Sequence, residues 1–208
     1  MIIVFVGTGT EVGKTWCAAQ LVAGLRAQGV RVAARKPAQS FDPADATTDA
    51  DQLAAATGEA PTTVCPSHRW YAIPMAPPMA ATALARPPFS IANLVAELAP
   101  SAADVVLVES AGGVRSPLAD DGDTVDLCDA IRPDLVVLVA DAGLGTINAV
   151  RLCVDALAAF DVLVLLNRFD SRDALHVANR DWLRTRNGLD TATDVEPVVE
   201  RVRRSISR

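Results

Sequence analysis

The chain has 208 residues, half of them hydrophobic, 21% charged, with a net charge of -6 at pH 7. That is one domain's worth of sequence, apolar enough for a core and too weakly charged for wholesale disorder. Only 4% of residues are aromatic, which favours an aliphatic sheet covered by helices. An acidic chain with no long run of Lys or Arg argues against a nucleic-acid partner. No stretch approaches the roughly 18 apolar residues of a membrane-spanning helix. The opening Met1–Val6 is apolar but stops at Gly7, with no basic segment before it as a signal peptide would have. Cys17, Cys65, Cys128 and Cys153 form no C-x-x-C pair. They read as buried, reduced thiols, and the expectation is a cytoplasmic protein without membrane association.

In chain order, Ile2–Val6 is predicted to be a buried parallel strand ending in a Gly/Thr loop. Thr15–Gln28 has helical spacing and stops at Gly29, Val30–Arg35 reads as the second strand, and Ser40–Asp49 is polar and irregular. Asp51–Thr57 looks helical. Cys65–Pro88 reads as irregular with a short helix around Ala80–Ala85, and Ile91–Leu98 as a helix capped by Ser90. Asp104–Val108 is the third strand, Asp126–Ile131 a helix, and Asp134–Ala140 the fourth strand. A helix over Thr146–Phe160 and a fifth strand over Val162–Leu166 follow, then helices over Ala174–Thr185 and Glu196–Ser205. The alternation predicts one α/β domain over residues 1–208: a P-loop-containing, doubly wound, mostly parallel sheet with helices on both faces. Ligands of such sheets bind where the strands end, so the residues after each strand carry the functional argument.

Gly7-Thr8-Gly9-Thr10-Glu11-Val12-Gly13-Lys14-Thr15 lies between a strand and a helix. It is a variant phosphate loop, with Thr8 where the usual spacing wants glycine. Its amides and the helix N-terminus suit phosphate oxygens, Lys14 suits the β- and γ-phosphates, and the Thr15 hydroxyl suits Mg²⁺. Of the 19 Lys and Arg residues only Lys14 and Lys36 are lysines. In a chain that uses arginine as its generic cation, a retained lysine points to a need for a compact charge. Lys36 follows the second strand and precedes Pro37, which directs it toward the same rim as Lys14. A doubly cationic pocket suits a substrate that carries or develops negative charge, and the Ser40 hydroxyl could orient it. Glu109, followed by Ser-Ala-Gly-Gly, is a candidate metal carboxylate. Asp51 is either a second metal carboxylate or a helix cap, and Asp141 reads equally as a supporting acid or a bystander. Asp120, Asp121 and Asp123 read as a solvated loop, and His68 and His176 as structural or solvated. Trp16, Trp70 and Trp182 read as packing residues. The loop Asp141–Asn148 opens a helix, and its amides could hold a carboxylate.

Together these segments resemble the ATP-dependent dethiobiotin synthetase family. The carriers are the Gly7–Thr15 loop, Lys36-Pro37-Ala38-Gln39-Ser40, the acid in Asp51-Gln52-Leu53, Glu109-Ser110-Ala111-Gly112-Gly113 and Gly143–Asn148, with Pro74–Pro77 and Asn167 as further features. The resemblance implies ATP as co-substrate, Mg²⁺ on Thr15, Asp51 and Glu109, and a substrate, 7,8-diaminononanoate, that takes up CO₂ as a carbamate. ATP phosphorylates the carbamate, and the second amine closes the ureido ring. The resemblance gives Lys14, Lys36, Thr10 and Ser40 to catalysis. It gives Glu11, Val12, Gly13, Lys14, Thr15, Trp16, Glu109, Ser110, Ala111, Gly112 and Asn167 to the nucleotide, with Asn167 on the adenine. Thr10, Glu11, Lys36 and Ser40 would meet the substrate. Leu144, Gly145, Thr146, Ile147 and Asn148 would hold the substrate carboxylate across a homodimer interface. The family pattern has glycine where Ser110 stands, and the Pro-x-Leu segment that covers the base is not found after residue 170. A partitioning-type switch ATPase would share the fold, but the loop lacks a lysine at Thr8, Gly9 or Thr10. Ser110 motivates a second alternative, a nucleotide-binding relative without catalysis.

Overall fold

Strand β1 (Ile2–Gly7) is the apolar run at the N-terminus, and Ile3 to Val6 are fully buried. Burial of both faces of a strand requires cover on both sides of its sheet. In the computed structural model, which describes residues 1–207, that cover is helical. Arg208, part of the one-domain reading, lies outside the described residues. Helix α1 (Lys14–Ala27), strand β2 (Val32–Arg35), the short strand β3 (Gln39–Ser40) and helix α2 (Asp49–Thr57) follow β1. Then come α3 (Pro61–Val64), β4 (Trp70–Tyr71), α4 (Pro77–Ala83), α5 (Ile91–Glu97), β5 (Val105–Gly113) and α6 (Thr124–Ile131). The chain ends with β6 (Leu135–Asp141), α7 (Thr146–Ala156), β7 (Val162–Asn167), α8 (Ala174–Thr185), β8 (Thr191–Ala192) and α9 (Glu196–Ile206).

The main sheet has six strands in the order β2-β5-β1-β6-β7-β8, all pairs parallel. Alternate β1 residues feed two cores. Ile3 and Phe5 pack with α1, α2, α3 and α9, while Val4 and Val6 pack with α4 through α8. The doubly wound arrangement with helices on both faces is therefore observed. The other parallel pair, β3 with β4, stands apart from the main sheet.

Several elements differ from the sequence reading, some of them for evident physical reasons. Strand β5 does not stop at Val108 but runs to Gly113, because it keeps pairing with β1 as far as Gly7 beyond a local register shift. Helix α6 starts at Thr124 because Asp123 caps it, accepting from the amides of Val125 and Asp126. Strand β8 was not predicted; two residues at a sheet edge leave no periodicity to read. Asp120 and Asp121 are exposed, as expected of a solvated loop, but they also have a structural role. Their carboxylates accept from the amides of Phe89 and Ile91 and fix the start of α5. The four cysteines are free, and burial pushes the thiols of Cys17, Cys65 and Cys128 up to about 12.

Candidate active site

The loop from Gly7 to Thr15 leaves the end of β1 and enters α1 through Gly13, whose φ of 89° lies in the left-handed region. A side chain at this position is barred twice, because a Cβ there would lie 2.1 Å from the Asn167 amide nitrogen. Asn167, at the end of β7, donates from Nδ2 to the Val12 carbonyl at 2.9 Å. Lys14 is buried and curls over the loop, donating to the Gly9 carbonyl at 2.9 Å. Burial and the neighbouring Lys36 charge both hold its ammonium pKa below the ordinary lysine value.

Lys36 leaves the end of β2 and is 1% exposed. Its Nζ lies 2.6 Å from Asp49 Oδ2 and 2.6 Å from Glu109 Oε1, and it also donates to the Ser110 carbonyl at 3.3 Å. Burial would lower its pKa, but the two carboxylates outweigh that and raise it above the ordinary value, so the group stays cationic. The Thr15 hydroxyl joins the same cluster, 2.8 Å from Asp49 Oδ1 and 2.9 Å from Glu109 Oε1. Glu109 is fully buried, and its Oε2 has no hydrogen-bond partner. Burial pushes its pKa up, and the Asp49 charge adds to the push against Lys36 and Thr15.

Asp51 is not part of this cluster. Its carboxylate accepts from the amide and the hydroxyl of Thr48, both at 2.8 Å, closing a capping box at the start of α2. The carboxylate that reaches Thr15 and Lys36 is Asp49, two residues earlier. The signal for this was present in the sequence: Thr48-x-x-Asp51 is a capping pattern, and it leaves Asp49 free.

Two cavities flank the cluster. One, about 740 Å³, is lined by Thr10, Glu11, Lys14, Lys36, Ser40, Asp49, Ala111 and Gly112, with Phe41, Pro74, Met75 and Pro77 forming an apolar wall. The Ser40 hydroxyl is buried there without a partner. Asp42 and Asp45, which the sequence reading left in an irregular stretch, sit at the same cavity. The other, about 670 Å³, lies beyond Gly13 and Trp16 and is lined by Gln20, Asn167, Arg168, Phe169 and Thr193–Val195. Trp16 is half exposed at its mouth and not a packing residue, and Trp182 is half exposed elsewhere. The Thr193–Val195 segment had no sequence signal. It is carried there by the turn between β8 and α9, and α9 docks on α1 where Gly24 leaves room for Val199.

Ser110 sits directly after Glu109 in β5. It is fully buried, it lines neither cavity, and only its carbonyl meets Lys36. Leu144 to Asn148 also lie outside both cavities; Leu144 is 91% exposed ahead of α7. Asp141 pairs with Arg168 and accepts from the Gly143 amide. His176 accepts from the Asp170 amide, a structural role.

A glycine-rich strand-to-helix loop with a buried lysine, at the strand ends of a doubly wound parallel sheet, defines a P-loop nucleotide-binding protein. Solved structures agree at the level of fold. A plasmid partition protein from Borrelia burgdorferi superposes with a TM-score of 0.55 at 12% identity, over 99% of this chain and 96% of that one. The signal recognition particle receptor FtsY from Elizabethkingia anophelis gives 0.53 at 15% identity, over 99% of this chain and 65% of that one. A family model described as an AAA domain matches residues 2–199. The ATP-dependent dethiobiotin synthetase BioD of Anaeromyxobacter sp. (strain Fw109-5) is 43% identical over 157 residues, 74% of this chain and 69% of that protein. The one from Haloferax mediterranei is 36% identical over 192 residues, 90% of this chain and 81% of that protein. The chain belongs to the ATP-dependent dethiobiotin synthetase family.

Proposed function

We propose that this chain is a ligase of biotin synthesis that uses ATP to close the ureido ring of dethiobiotin from 7,8-diaminononanoate and CO₂. The observation that carries the reading is Lys36, a buried ammonium sharing one cavity with Lys14 and held there by Asp49 and Glu109. A nucleotide switch needs one lysine on the phosphates. A reaction that brings a carbamate against a γ-phosphate must also offset the repulsion between two anions, and a second fixed cation does that.

In this reading the triphosphate lies along the Gly7–Thr15 loop, and the base enters the cavity between Trp16, Asn167 and Thr193–Val195. The diamine lies in the other cavity, its alkyl chain along Phe41, Pro74, Met75 and Pro77. One amine adds to CO₂, and the carbamate oxygen takes the γ-phosphoryl group from ATP to give a mixed anhydride. The second amine then attacks the carbonyl carbon and expels phosphate. Lys36 and Lys14 hold the two anionic oxygens together, and the Ser40 hydroxyl donates to the carbamate. Thr10 and Glu11 border the reacting amines.

The cluster suits a hard cation. Thr15, Asp49 and Glu109 offer only oxygen, and the buried Glu109 Oε2 lacks a partner. Mg²⁺ held by these three residues would neutralise the developing phosphate charge. Leu144, Leu152, Leu175 and Trp182 are exposed on the loop before α7, on α7 and on α8, and α7 packs beside α8. They support a homodimer in which Leu144–Asn148 reach the partner's substrate. Free thiols fit a reducing cytoplasm, and no helix among the described residues is long and apolar enough to cross a membrane.

The test is phosphate release from MgATP. It should require both 7,8-diaminononanoate and bicarbonate, and mass detection should find dethiobiotin. Diamine-independent hydrolysis without product would sink the reading in favour of a switch ATPase.

A further inference from the structure

The nucleotide loop is tied by a residue that no phosphate-loop pattern includes and that also lines the second cavity. Arg168 follows β7, and its Nη2 donates to the Glu11 carbonyl at 2.9 Å. Its Nη1 lies 3.1 Å from Asp141 Oδ2. The other oxygen of Asp141 accepts from the Gly143 amide at 2.9 Å. One guanidinium thus joins the nucleotide loop to the loop before α7. Both bonded residues of this clamp hold an unusual backbone: φ is 58° at Glu11 and 56° at Arg168, in the left-handed region that non-glycine residues disfavour. Such conformations persist where surrounding contacts determine them.

The consequence for phosphate binding follows from peptide geometry. No peptide bond among the described residues is cis, so each C=O there points opposite to the N–H of the next residue. Arg168 draws the Glu11 carbonyl outward, and Asn167 does the same to the Val12 carbonyl. The amides of Val12 and Gly13 are thereby turned to the other side of the loop, the side on which phosphate oxygens are cradled. Asn167 and Arg168 are adjacent at the end of one strand and hold adjacent peptides.

We propose that Arg168 is a positioning residue that presets the Glu11–Val12 peptide for the nucleotide and, through Asp141, locks that loop to the loop before α7. The proposal rests on the assignment of the Gly7–Thr15 loop to the nucleotide. Arg168 and Asp141 have side chains 60% and 47% exposed, and a pair so exposed adds little to global stability. The clamp should therefore show in ligand affinity and not in melting temperature.

The experiment is calorimetric titration of the full chain with ATP in magnesium buffer, with thermal melting of each variant. Arg168→Ala should weaken ATP binding about 10-fold, the scale of one lost orienting interaction, with melting unchanged. Asp141→Ala should also weaken it, although Asp141 lines neither cavity. The double variant should bind no more weakly than Arg168→Ala alone. Arg168→Lys, able to reach only one of the two acceptors, should fall between wild type and alanine. Unchanged affinity in Arg168→Ala, multiplicative losses in the double variant, or a loss of affinity that tracks a fall in melting temperature would each overturn the proposal. A wild-type chain that bound no ATP would instead fail the nucleotide assignment itself.

Discussion

Lys36 holds a positive charge out of water, which is tolerable only because Asp49 and Glu109 both lie 2.6 Å from its nitrogen. Its importance was legible in the sequence, because a chain with 19 basic residues keeps lysine only at positions 14 and 36. The acid that serves it was harder to find. Asp49 and Asp51 share one helical turn, and only the Thr48-x-x-Asp51 capping spacing, not residue type, tells them apart. The partnerless oxygens of Ser40 and Glu109 have no sequence signature at all, since they arise from burial. The two aspartates should separate cleanly in experiment. Asp49→Asn is expected to raise the Mg²⁺ concentration needed for half-maximal turnover and also to lower the melting temperature, because it leaves the buried Lys36 with one carboxylate. Asp51→Ala should leave the Mg²⁺ titration alone and cost about 1 kcal/mol of stability in denaturant titration through the lost capping-box bonds. The reverse pattern would return the metal role to Asp51.

Elements with strong periodicity were read well, and those set by tertiary pairing were not. Strand β5 runs past Glu109 because β1 continues beside it, while β3, β4 and β8 are two-residue strands defined only by their partners. Helix α5 shows how charge fixes an element that short-range pattern leaves loose. Glu97 in α5 accepts twice from Arg69 at 2.7 Å, and Arg69 lies over the Phe89 ring at 4.2 Å. Hydrogen bonds from Arg69 hold the Glu97 carboxyl below its ordinary pKa. A depressed carboxylate stabilises the fold above its unfolded pKa, and that contribution disappears as pH falls through the folded value. Glu97→Gln should therefore cost about 1 kcal/mol at pH 7. Its deficit against wild type should vanish below the folded pKa. Urea titrations across this range check it, and a deficit independent of pH would show that packing, not charge, sets the loss.

At the scale of the whole molecule, the alternation of strands and helices revealed the doubly wound sheet, and the strand-end rule located both lysines, Glu109 and Asn167. What the sequence reading could not supply is how α9 brings Thr193–Val195 to the second cavity, because helix docking depends on a shape match such as Gly24 against Val199. The apolar face on α7 and α8 is also a tertiary property. Leu152→Asp is expected to convert a dimer to monomers in analytical ultracentrifugation and to lower turnover while leaving ATP affinity unchanged. A monomeric wild type would refute the shared site. In the proposed reaction two buried ammonium groups bring a carbamate to a phosphate. It is tested most directly by incubating wild type and Lys36→Ala with MgATP, diamine and ¹³C-bicarbonate. Wild type should place one label in the ureido carbonyl for each phosphate released, and Lys36→Ala should do so at least about 100-fold more slowly. Phosphate released without labelled product, or equal rates in the two proteins, would contradict it.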